Sequence, residues 1–412
     1  MIDGAPHEYK EKKGSCEECG NSPVNHFEAY CAHTFSVWTS GFAARSHSRI
    51  VRTLRTHIDH LFDLALPLFF RALGSLPTSR FSQDPSRARS YRSQVIWEEA
   101  QQRSIPMEQL IFFGMYTETY RARLRGGWEY FVSLPIPPET LRGSIDWVDD
   151  KFLLKQLLHR HDIPTPRIRS VSNIQKAQKA VEELGNVVVK PQSGSRGRHT
   201  SVNVRTEEEM RDAFKSAQTL CRQVAIEEYL RGSVCRATVV GGKLVGFFQA
   251  HPPRITGDGI STIGQLIEIE NARKPERVQD IVLSNEHRKF IARFGLREES
   301  ILARGKTIPL SHRTGRLFGG YTRELLGYEH PKLRAYAEKA AEVIRAPVVG
   351  FDLIIEDPEK DPDQQTWGII EANLLPYIDL HYLPLEGTPS NVAAAVWDLW
   401  GDRGWGQTPQ NF

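Results

Sequence analysis

The stretch Trp367–Pro384, WGIIEANLLPYIDLHYLP, begins as an apolar run typical of a buried strand. Glu371 and Asn373 lie two residues apart near the end of that run. Because side chains alternate between the two faces of a strand, the carboxylate and the amide are expected side by side on one face. Two oxygen-bearing groups in that position favour a hard cation as their ligand.

A second apolar run, Val348–Ile355 (VVGFDLII), carries Asp352 in its interior. A buried carboxylate without a partner is strongly disfavoured. One interpretation places Asp352 beside Glu371 and Asn373 as Mg²⁺ ligands, with ATP phosphates and water completing the coordination. The other is a buried aspartate capped by backbone amides.

The segment Val187–His199, VVVKPQSGSRGRH, reads as a strand that ends at a lysine and a glycine-rich turn. Lys190 and the backbone N–H groups around Gly194 and Gly197 can together hold phosphate oxygens. The lysine precedes the glycines, so this is not the common P-loop order. An ordinary exposed hairpin is the alternative.

The segment Ala225–Gly232, AIEEYLRG, places two acids at a strand end. One carboxylate could accept from ribose hydroxyls while the backbone that follows pairs with the adenine edge. A polar turn without ligand explains the same pattern.

Composition bounds these hypotheses. The 412 residues, 40% apolar and 25% charged, suffice for two or three globular units, and a net charge of +3 gives no reason to expect nucleic acid as a partner. The most apolar helical stretch, residues 60–73, is interrupted by Asp63, Pro67 and Arg71, so no membrane span is expected. We therefore expect a cytoplasmic protein. Five scattered cysteines do not predict a disulfide framework.

The N-terminal region contains a cluster of cysteines and histidines, which are Cys16, Cys19, His26, Cys31 and His33. Their spacing fits a Zn²⁺ site of mixed thiolate and imidazole ligands. Unliganded thiols and a redox pair are the alternatives.

Seven stretches, in this order, resemble the ATP-grasp ligases, and most closely the branch of cyanophycin synthetase and of the grasp module of bifunctional glutathione synthetase. They are DDKFLLKQLLHRHDIPTP, VVVKPQSGSRG, AIEEYLRG, PPRITGDGISTIGQLI, FGGYTRELLGYEHPKLRAYAEKAAEVI, VVGFDLII and IIEANLLPYIDLHYLPLEG. The resemblance covers residues 146 to 400 approximately. Each motif alone is weak, and the order gives the specificity.

The resemblance implies an α/β chain of the α+β ATP-grasp type, in which two subdomains clasp ATP. We expect an irregular and helical N-terminal region over 1–90, an α/β pre-grasp unit over 91–145, a small lid subdomain over 146–226 and a large subdomain over 227–405. A homo-oligomer is compatible with the family.

The resemblance also assigns nucleotide-site residues. Lys151 and Lys190 correspond to the lysines that contact ATP phosphates. The lid loop corresponds to residues 193–198, and the adenine hinge to residues 227–230. The positions implied in these two segments are Ser193, Gly194, Ser195, Gly197, Glu227, Glu228, Tyr229 and Leu230.

For the reaction itself, Asp352, Glu371 and Asn373 correspond to the Mg²⁺ ligands. Arg236, Lys190 and His381 correspond to catalytic positions near the acceptor carboxylate and the transferred phosphate. The implied function is ATP-dependent ligation of a small-molecule or peptide carboxylate to an amine through an acyl phosphate.

The sequence departs from the family pattern on the substrate side. Val234 and Ala250 replace an acid and an arginine, and Ser311 and Gly315 stand at other arginine and asparagine positions. Arg313 or Arg316 could supply the missing guanidinium. These departures leave one alternative to the ligase, a degenerate protein that binds nucleotide or a partner without ligation. The N-terminal cysteine and histidine cluster leaves another, a zinc-dependent scaffold for which the grasp unit is only a platform.

Overall fold

The computed structural model describes residues 16, 19, 24–45, 68–124, 126–140, 146–194 and 197–401. The α-helices with defined ends are α1 His26–Arg45, α2 Tyr91–Gln102, α3 Lys151–Arg160, α4 Ile174–Leu184, α5 Glu207–Gln218, α6 Ile263–Arg273, α7 Asn285–Ala292, α8 Pro331–Ile344, α9 Asp379–Tyr382 and α10 Val392–Asp398. The strands are β1 Ser79–Ser82, β2 Met107–Phe112, β3 Met115–Leu124, β4 Gly127–Val132, β5 Ile168–Val171, β6 Val187–Pro191, β7 Ser201–Val204, β8 Val224–Glu228, β9 Ser233–Val240, β10 Lys243–Ala250, β11 Arg254–Thr256, β12 Thr307–Pro309, β13 Thr322–Glu324, β14 Val348–Ile355 and β15 Gly368–Asn373. These elements confirm the predicted α+β class.

The small subdomain is an antiparallel sheet in the order β5–β8–β6–β7, packed against α4 and α5. Helix α5 begins with a capping box in which Thr206 and Glu209 satisfy each other's backbone N–H groups, a feature that contributes about 1 kcal/mol. Met210, Phe214 and Ala217 recur at helical spacing and are buried against the sheet. The sheet is therefore held on one face by a continuous apolar layer.

The large subdomain is a five-stranded antiparallel sheet in the order β13–β10–β9–β14–β15. The Gly241-Gly242 pair between two apolar runs predicts a hairpin. The two glycines join β9 to β10 with φ angles of 57° and 74°, which confirms it because a two-residue turn of this kind needs positive φ at both positions. Helices α3 and α8 pack on one face of the sheet. Residues 146–163, which the sequence assigned to the lid, thus contribute to this core.

The pre-grasp sheet β1–β2–β3–β4 packs against α2 and the C-terminal helix α10. Trp97 and Trp397 are almost fully buried there, and the Trp397 indole N–H donates to the Ile96 carbonyl at 3.0 Å. Burial of each large side chain contributes roughly 1.5–3 kcal/mol. Helix α10, predicted as part of the large subdomain, therefore also completes the pre-grasp core.

Helix α1 was not expected from the sequence, because its apolar residues form no stripe at helical spacing. It lies against the small subdomain: the Arg222 N–H donates to Thr34 Oγ1 at 3.1 Å, and His33 Nδ1 lies 3.2 Å from the Leu220 carbonyl oxygen. The sequence pattern predicts a helix from about Ser48 to Leu73. Up to position 67 this stretch lies outside the described residues, and residues 68–74 are helical.

Residues 254–310 add the β11–β12 ribbon with α6 and α7, which share a separate apolar core. Among the residues that the structure describes, no helix combines the length and apolar character that a membrane crossing requires.

Candidate active site

A cavity of about 970 Å³, counted with its open mouth, lies between the small sheet and the face of the large sheet opposite α3 and α8. Val188 of β6 forms one wall, Ile354 and Ile370 form the other, and residues 228–230 close one end. This volume and this apolar lining are typical of a small-molecule site. The cavity is therefore the starting point for placing the predicted site residues.

Lys190 and Glu227 line the cavity, and a second buried lysine, Lys155, pairs with the same carboxylate as Lys190. The two carboxylate oxygens of Glu227 lie 2.9 Å from Lys155 Nζ and 2.8 Å from Lys190 Nζ. Lys155 also donates to the Ile370 carbonyl at 2.6 Å. Glu227 is 2% exposed and faces the lysines, so in this structure it is not the acid that reaches a ribose.

Burial is the largest influence on the pKa values of this group. It lowers the pKa of Lys155 to about 8, against the opposing effect of Glu227. Burial also favours a raised pKa for Glu227, but the charges of Lys155 and Lys190 outweigh it and hold that pKa below its usual value. Glu227 therefore stays ionised and fixes the position of Lys190.

Lys151 begins α3 and lines the cavity beside the glycine-rich loop. Its Nζ donates to the Gly194 carbonyl at 2.5 Å and lies 4.0 Å from Glu371 Oε1. Gly194 and Gly197 have φ angles of 115° and 64°, which glycine adopts without strain. Ser193 is buried nearby, and the predicted loop residue Ser195 lies outside the described residues.

The predicted hinge, residues 228–230, also borders the cavity. Glu228 pairs with Arg167 at 3.1 Å, and the Tyr229 N–H donates to the Asn186 carbonyl at 3.0 Å. Within the described part of the chain, no hydrogen bond occupies the N–H of Leu230. One backbone donor at this end is therefore available to a ligand.

The structure brings together the three predicted Mg²⁺ ligands. Asp352 of β14 lies directly opposite Glu371 of β15, and the Asn373 amide donates to Asp352 Oδ2 at 3.3 Å. All three side chains therefore lie on the sheet face that lines the cavity, as the strand alternation predicts. Two carboxylates and an amide oxygen fit the hard-oxygen preference of Mg²⁺.

Arg236 lies on β9 directly opposite Asp352. Its Nε and Nη2 donate to the two oxygens of Asp352 at 2.6 and 3.0 Å. A guanidinium beside the carboxylates is placed to bind an anion at the same face. This position agrees with the predicted one, and its catalytic role stays a prediction.

His381, the remaining predicted catalytic residue, has both ring nitrogens next to polar side chains. The ring is fully buried, with Nε2 2.7 Å from Thr238 Oγ1 and Nδ1 2.9 Å from Glu324 Oε2. A Cβ on Gly246 would lie only 2.6 Å from the ring, so the strand closes over it. Thr238 lies two residues after Arg236 on β9, so the His381 ring packs on the same face of the sheet as Arg236. Its predicted catalytic position near the acceptor carboxylate stays a prediction.

Three arginines surround the loop of residues 375–379. Arg92 of α2 donates to the Leu375 carbonyl at 2.5 Å, and Arg316 donates to Asp379 at 2.5 Å. Arg236 and Pro376 both lie against Gly350. Each of these arginines has one buried nitrogen without a hydrogen-bond partner in the described structure. Sequence reasoning missed Arg92, because nothing local links α2 to this loop.

Arg313 and Arg316, the two candidates for the missing guanidinium, have different partners. Arg313 pairs with Glu286 of α7 at 3.1 Å, and its N–H donates to Ser311 Oγ at 2.7 Å. Arg316 instead reaches Asp379 and lies over the Tyr91 ring. Of the two, Arg316 is the one directed toward the 375–379 loop.

The predicted zinc ligands divide into two groups. Cys16, Cys19 and His26 lie together, joined by His199. The other two predicted ligands are outside this group, because Cys31 is exposed and His33 lines the nucleotide-sized cavity. Sequence reasoning missed His199, which follows the glycine-rich loop and is distant in the chain.

The chain is similar in sequence to several known proteins. Residues 149–262 match the family model described as phosphoribosylglycinamide synthetase, ATP-grasp (A) domain. The chain is 31% identical over 267 residues to a cyanophycin synthetase from Synechocystis sp., an alignment that covers 62% of this chain and 30% of the relative. It is 27% identical over 264 residues to a glutathione biosynthesis bifunctional protein from Clostridium perfringens, with 61% and 34% covered.

A solved structure has the same fold. It is a bifunctional glutathione synthetase from Pasteurella multocida, with a TM-score of 0.51 and 22% identity, matched over 74% of this chain and 42% of that chain. The chain spans about a third of the length of the curated relatives it matches. The likeness to the solved structure concerns the fold.

Proposed function

Because the chain belongs to the ATP-grasp superfamily, we propose that it is an ATP-dependent carboxylate–amine ligase that forms an amide or peptide bond and releases ADP and phosphate. The observation that carries this proposal is the cavity itself, which joins Lys151 and Lys190 to Glu371. Its apolar walls suit a purine, and its lysines suit a triphosphate.

The purine would lie between Val188 and the pair Ile354 and Ile370. Leu230 N–H can donate to a ring nitrogen at the closed end, where Glu228 is already held by Arg167. The phosphates would then extend toward Lys151 and Lys190. This orientation spreads the negative charge of the triphosphate over fixed cations in a partly enclosed site.

The reaction needs activation because a carboxylate does not react with an amine at neutral pH. In the proposed reaction, a carboxylate oxygen of the acid attacks the γ-phosphorus of ATP, the bond to the β,γ-bridging oxygen breaks, and ADP leaves. The amine then attacks the acyl carbon of the acyl phosphate, phosphate departs with the carboxylate oxygen, and the amine loses a proton. The chain's own part is positioning and charge stabilisation.

Asp352, Glu371 and Asn373 would hold Mg²⁺, which supplies Lewis-acid stabilisation of the phosphate oxygens when bound. Arg236, on the neighbouring strand, would stabilise the negative charge of the same phosphate oxygens. Its two hydrogen bonds to Asp352 fix its orientation. Lys151 and Lys190 orient the phosphates.

The acid substrate would bind beside the 375–379 loop. Arg92, Arg236 and Arg316 each bring an unpaired buried N–H to this region, and such donors gain most from an anionic partner. Asp379 has one buried oxygen without a partner among the described residues and could accept from an amino group. An amino acid or a peptide fits this combination of charges.

The test is incubation of the protein with ATP, Mg²⁺ and pools of amino acids and short peptides, followed by ADP measurement and product mass. We expect ADP release that depends on a pool and a product lighter by one water than its two substrates. ATP binding without ADP release in any pool would favour the degenerate, non-catalytic protein.

Substitution Lys190→Ala is expected to weaken ATP binding by about tenfold or more, because a charge-assisted contact to the phosphates is lost. Isothermal titration calorimetry measures the change. Lys179→Ala, on an exposed position of α4, is the matched control and should leave ATP affinity unchanged. Equal affinities in the two variants would reassign Lys190 to the hairpin alone.

Substitution Arg316→Ala is expected to raise the KM for the acid that gives turnover by roughly 10–100-fold, since a hydrogen bond to a charged group is worth about 1.5–3 kcal/mol. Arg313→Ala is the control, because Arg313 is committed to Glu286. A larger effect from Arg313 than from Arg316 would contradict the proposed acid site.

A further inference from the structure

We infer that Cys16, Cys19, His26 and His199 form a structural zinc site that ties the N-terminal segment to the loop preceding β7. The four ligand atoms lie within 4.8 Å of one another. The site differs from the one expected from sequence, because His199 replaces both Cys31 and His33. It is also separate from the proposed Mg²⁺ site.

The spacing of the ligand atoms fits one tetrahedral ion. With Zn–S bonds of about 2.3 Å and Zn–N bonds of about 2.0–2.1 Å, a sulfur and a nitrogen on the same ion lie about 3.6 Å apart. His199 Nε2 lies 3.5 Å from both Cys16 Sγ and Cys19 Sγ, and His26 Nε2 lies 3.3 Å from Cys19 Sγ. The imidazole rings meet edge to face at 5.0 Å.

His199 is oriented as a metal ligand by its other nitrogen. Nδ1 lies 2.9 Å from the Ser216 carbonyl oxygen and therefore carries the proton, with the hydroxyls of Ser216 and Thr219 at 3.0 Å. This leaves the Nε2 lone pair directed at the two sulfurs. A histidine whose second nitrogen donates to a carbonyl is the usual arrangement at protein metal sites.

Burial and chemistry favour zinc over unliganded thiols. Cys19 and His199 are 2% and 3% exposed, and His199 holds a left-handed φ of 50°, which costs free energy in a non-glycine residue. Thiol–imidazole contacts alone are weak compensation for this cost. Two thiolates with two imidazoles form a ligand set that Zn²⁺ binds tightly, with release of the thiol protons.

The site adjoins the proposed ATP cavity. Gly197 and Arg198, immediately before His199, line that cavity, as does His33 of α1. A Cβ on Gly194 would lie 2.9 Å from the His33 ring, so α1 packs closely on the loop. Zinc would fix α1 and the loop relative to each other and would thereby affect ATP binding in the adjoining cavity. That effect rests on the proposed function, whereas metal binding itself does not.

The first experiment measures the metal content of the full chain by mass spectrometry of the purified protein. We expect one zinc per chain, and Co²⁺ substitution should give the intense visible bands of a tetrahedral site with two thiolates. Cys16→Ser and His199→Ala should each lose the metal, whereas Cys31→Ser should keep it. Wild-type protein without zinc that also fails to take up Co²⁺, or loss of metal in Cys31→Ser alone, would overturn the assignment.

Circular dichroism of each variant establishes that it is folded, and the wild-type result decides the question even if His199→Ala does not fold. A Cys16–Cys19 disulfide in protein purified under reducing conditions would also overturn the zinc assignment.

The second experiment compares ATP affinity before and after chelation of zinc. We expect a loss of about tenfold, restored by added zinc; unchanged affinity in metal-free protein that binds ATP would overturn the coupling and leave the metal site intact.

Discussion

Replacing Glu371 with glutamine is expected to lower ATP-dependent turnover by about 10²–10³-fold while the fold stays intact. Glu371 lines the cavity, lies opposite Asp352 and is 4.0 Å from Lys151. Glutamine keeps the size of the side chain but removes the charge that would face Mg²⁺. Steady-state ADP release at saturating ATP measures the effect.

The matched control for this experiment is Glu356→Gln, which makes the same chemical change at an exposed position just after β14. It should retain wild-type turnover. Both variants should unfold at the wild-type temperature. Near wild-type ADP release from Glu371→Gln would remove Glu371 from the metal site and with it the interpretation of the β14–β15 face.

Replacing Glu227 with glutamine is expected to lower the free energy of unfolding by about 3–5 kcal/mol, because Lys155 and Lys190 would be left buried without their shared counter-ion. Both lysines depend on this one carboxylate, and all three side chains are less than a tenth exposed. ATP affinity should fall as well, since Lys190 loses its fixed position. Urea denaturation followed by circular dichroism measures the stability.

Two variants make this prediction specific. Glu228→Gln alters the neighbouring acid, whose pair with Arg167 is exposed, and should change stability little. Adding Lys155→Met to Glu227→Gln removes one of the stranded charges and should recover part of the lost stability. Equal free energies of unfolding for the Glu227 and Glu228 variants would show that the buried group of Lys155, Lys190 and Glu227 does not stabilise the fold.

Local sequence patterns predicted the parts of this site that depend on one strand or one turn. Alternation along β15 placed Glu371 and Asn373 on one face, and Gly241 with Gly242 predicted the β9–β10 hairpin. The apolar environment of Asp352 indicated a partner, and the structure supplies Arg236 and Asn373. Such features need only backbone geometry and burial.

Other parts depend on contacts between distant segments. Lys155 lies one turn after Lys151 on α3, and a lysine beside the buried Leu154 and Leu158 was a signal that it needs a counter-ion. Which counter-ion it finds could not be read from α3, because Glu227 is brought to it by the β5–β8–β6 arrangement. His199 and Arg92 were missed for the same reason.

The burial of the His381 ring has a physical cause that the sequence does not show. The sequence shows a histidine after the metal strand, but the burial of its ring depends on Gly246, which leaves room for it in β10, and on Glu324 of β13. Both residues are far away in the chain. A position that matches a family motif therefore does not fix how deeply the side chain is buried.

The central claim is that a carboxylate is activated by phosphoryl transfer in the cavity bounded by Lys151, Lys190 and Glu371. The most direct measurement uses acid substrates with ¹⁸O in the carboxylate, in a pool that gives ADP release. We expect one ¹⁸O in the released phosphate for each amide bond formed. Amide formation with unlabelled phosphate, or with AMP and pyrophosphate in place of ADP and phosphate, would contradict it.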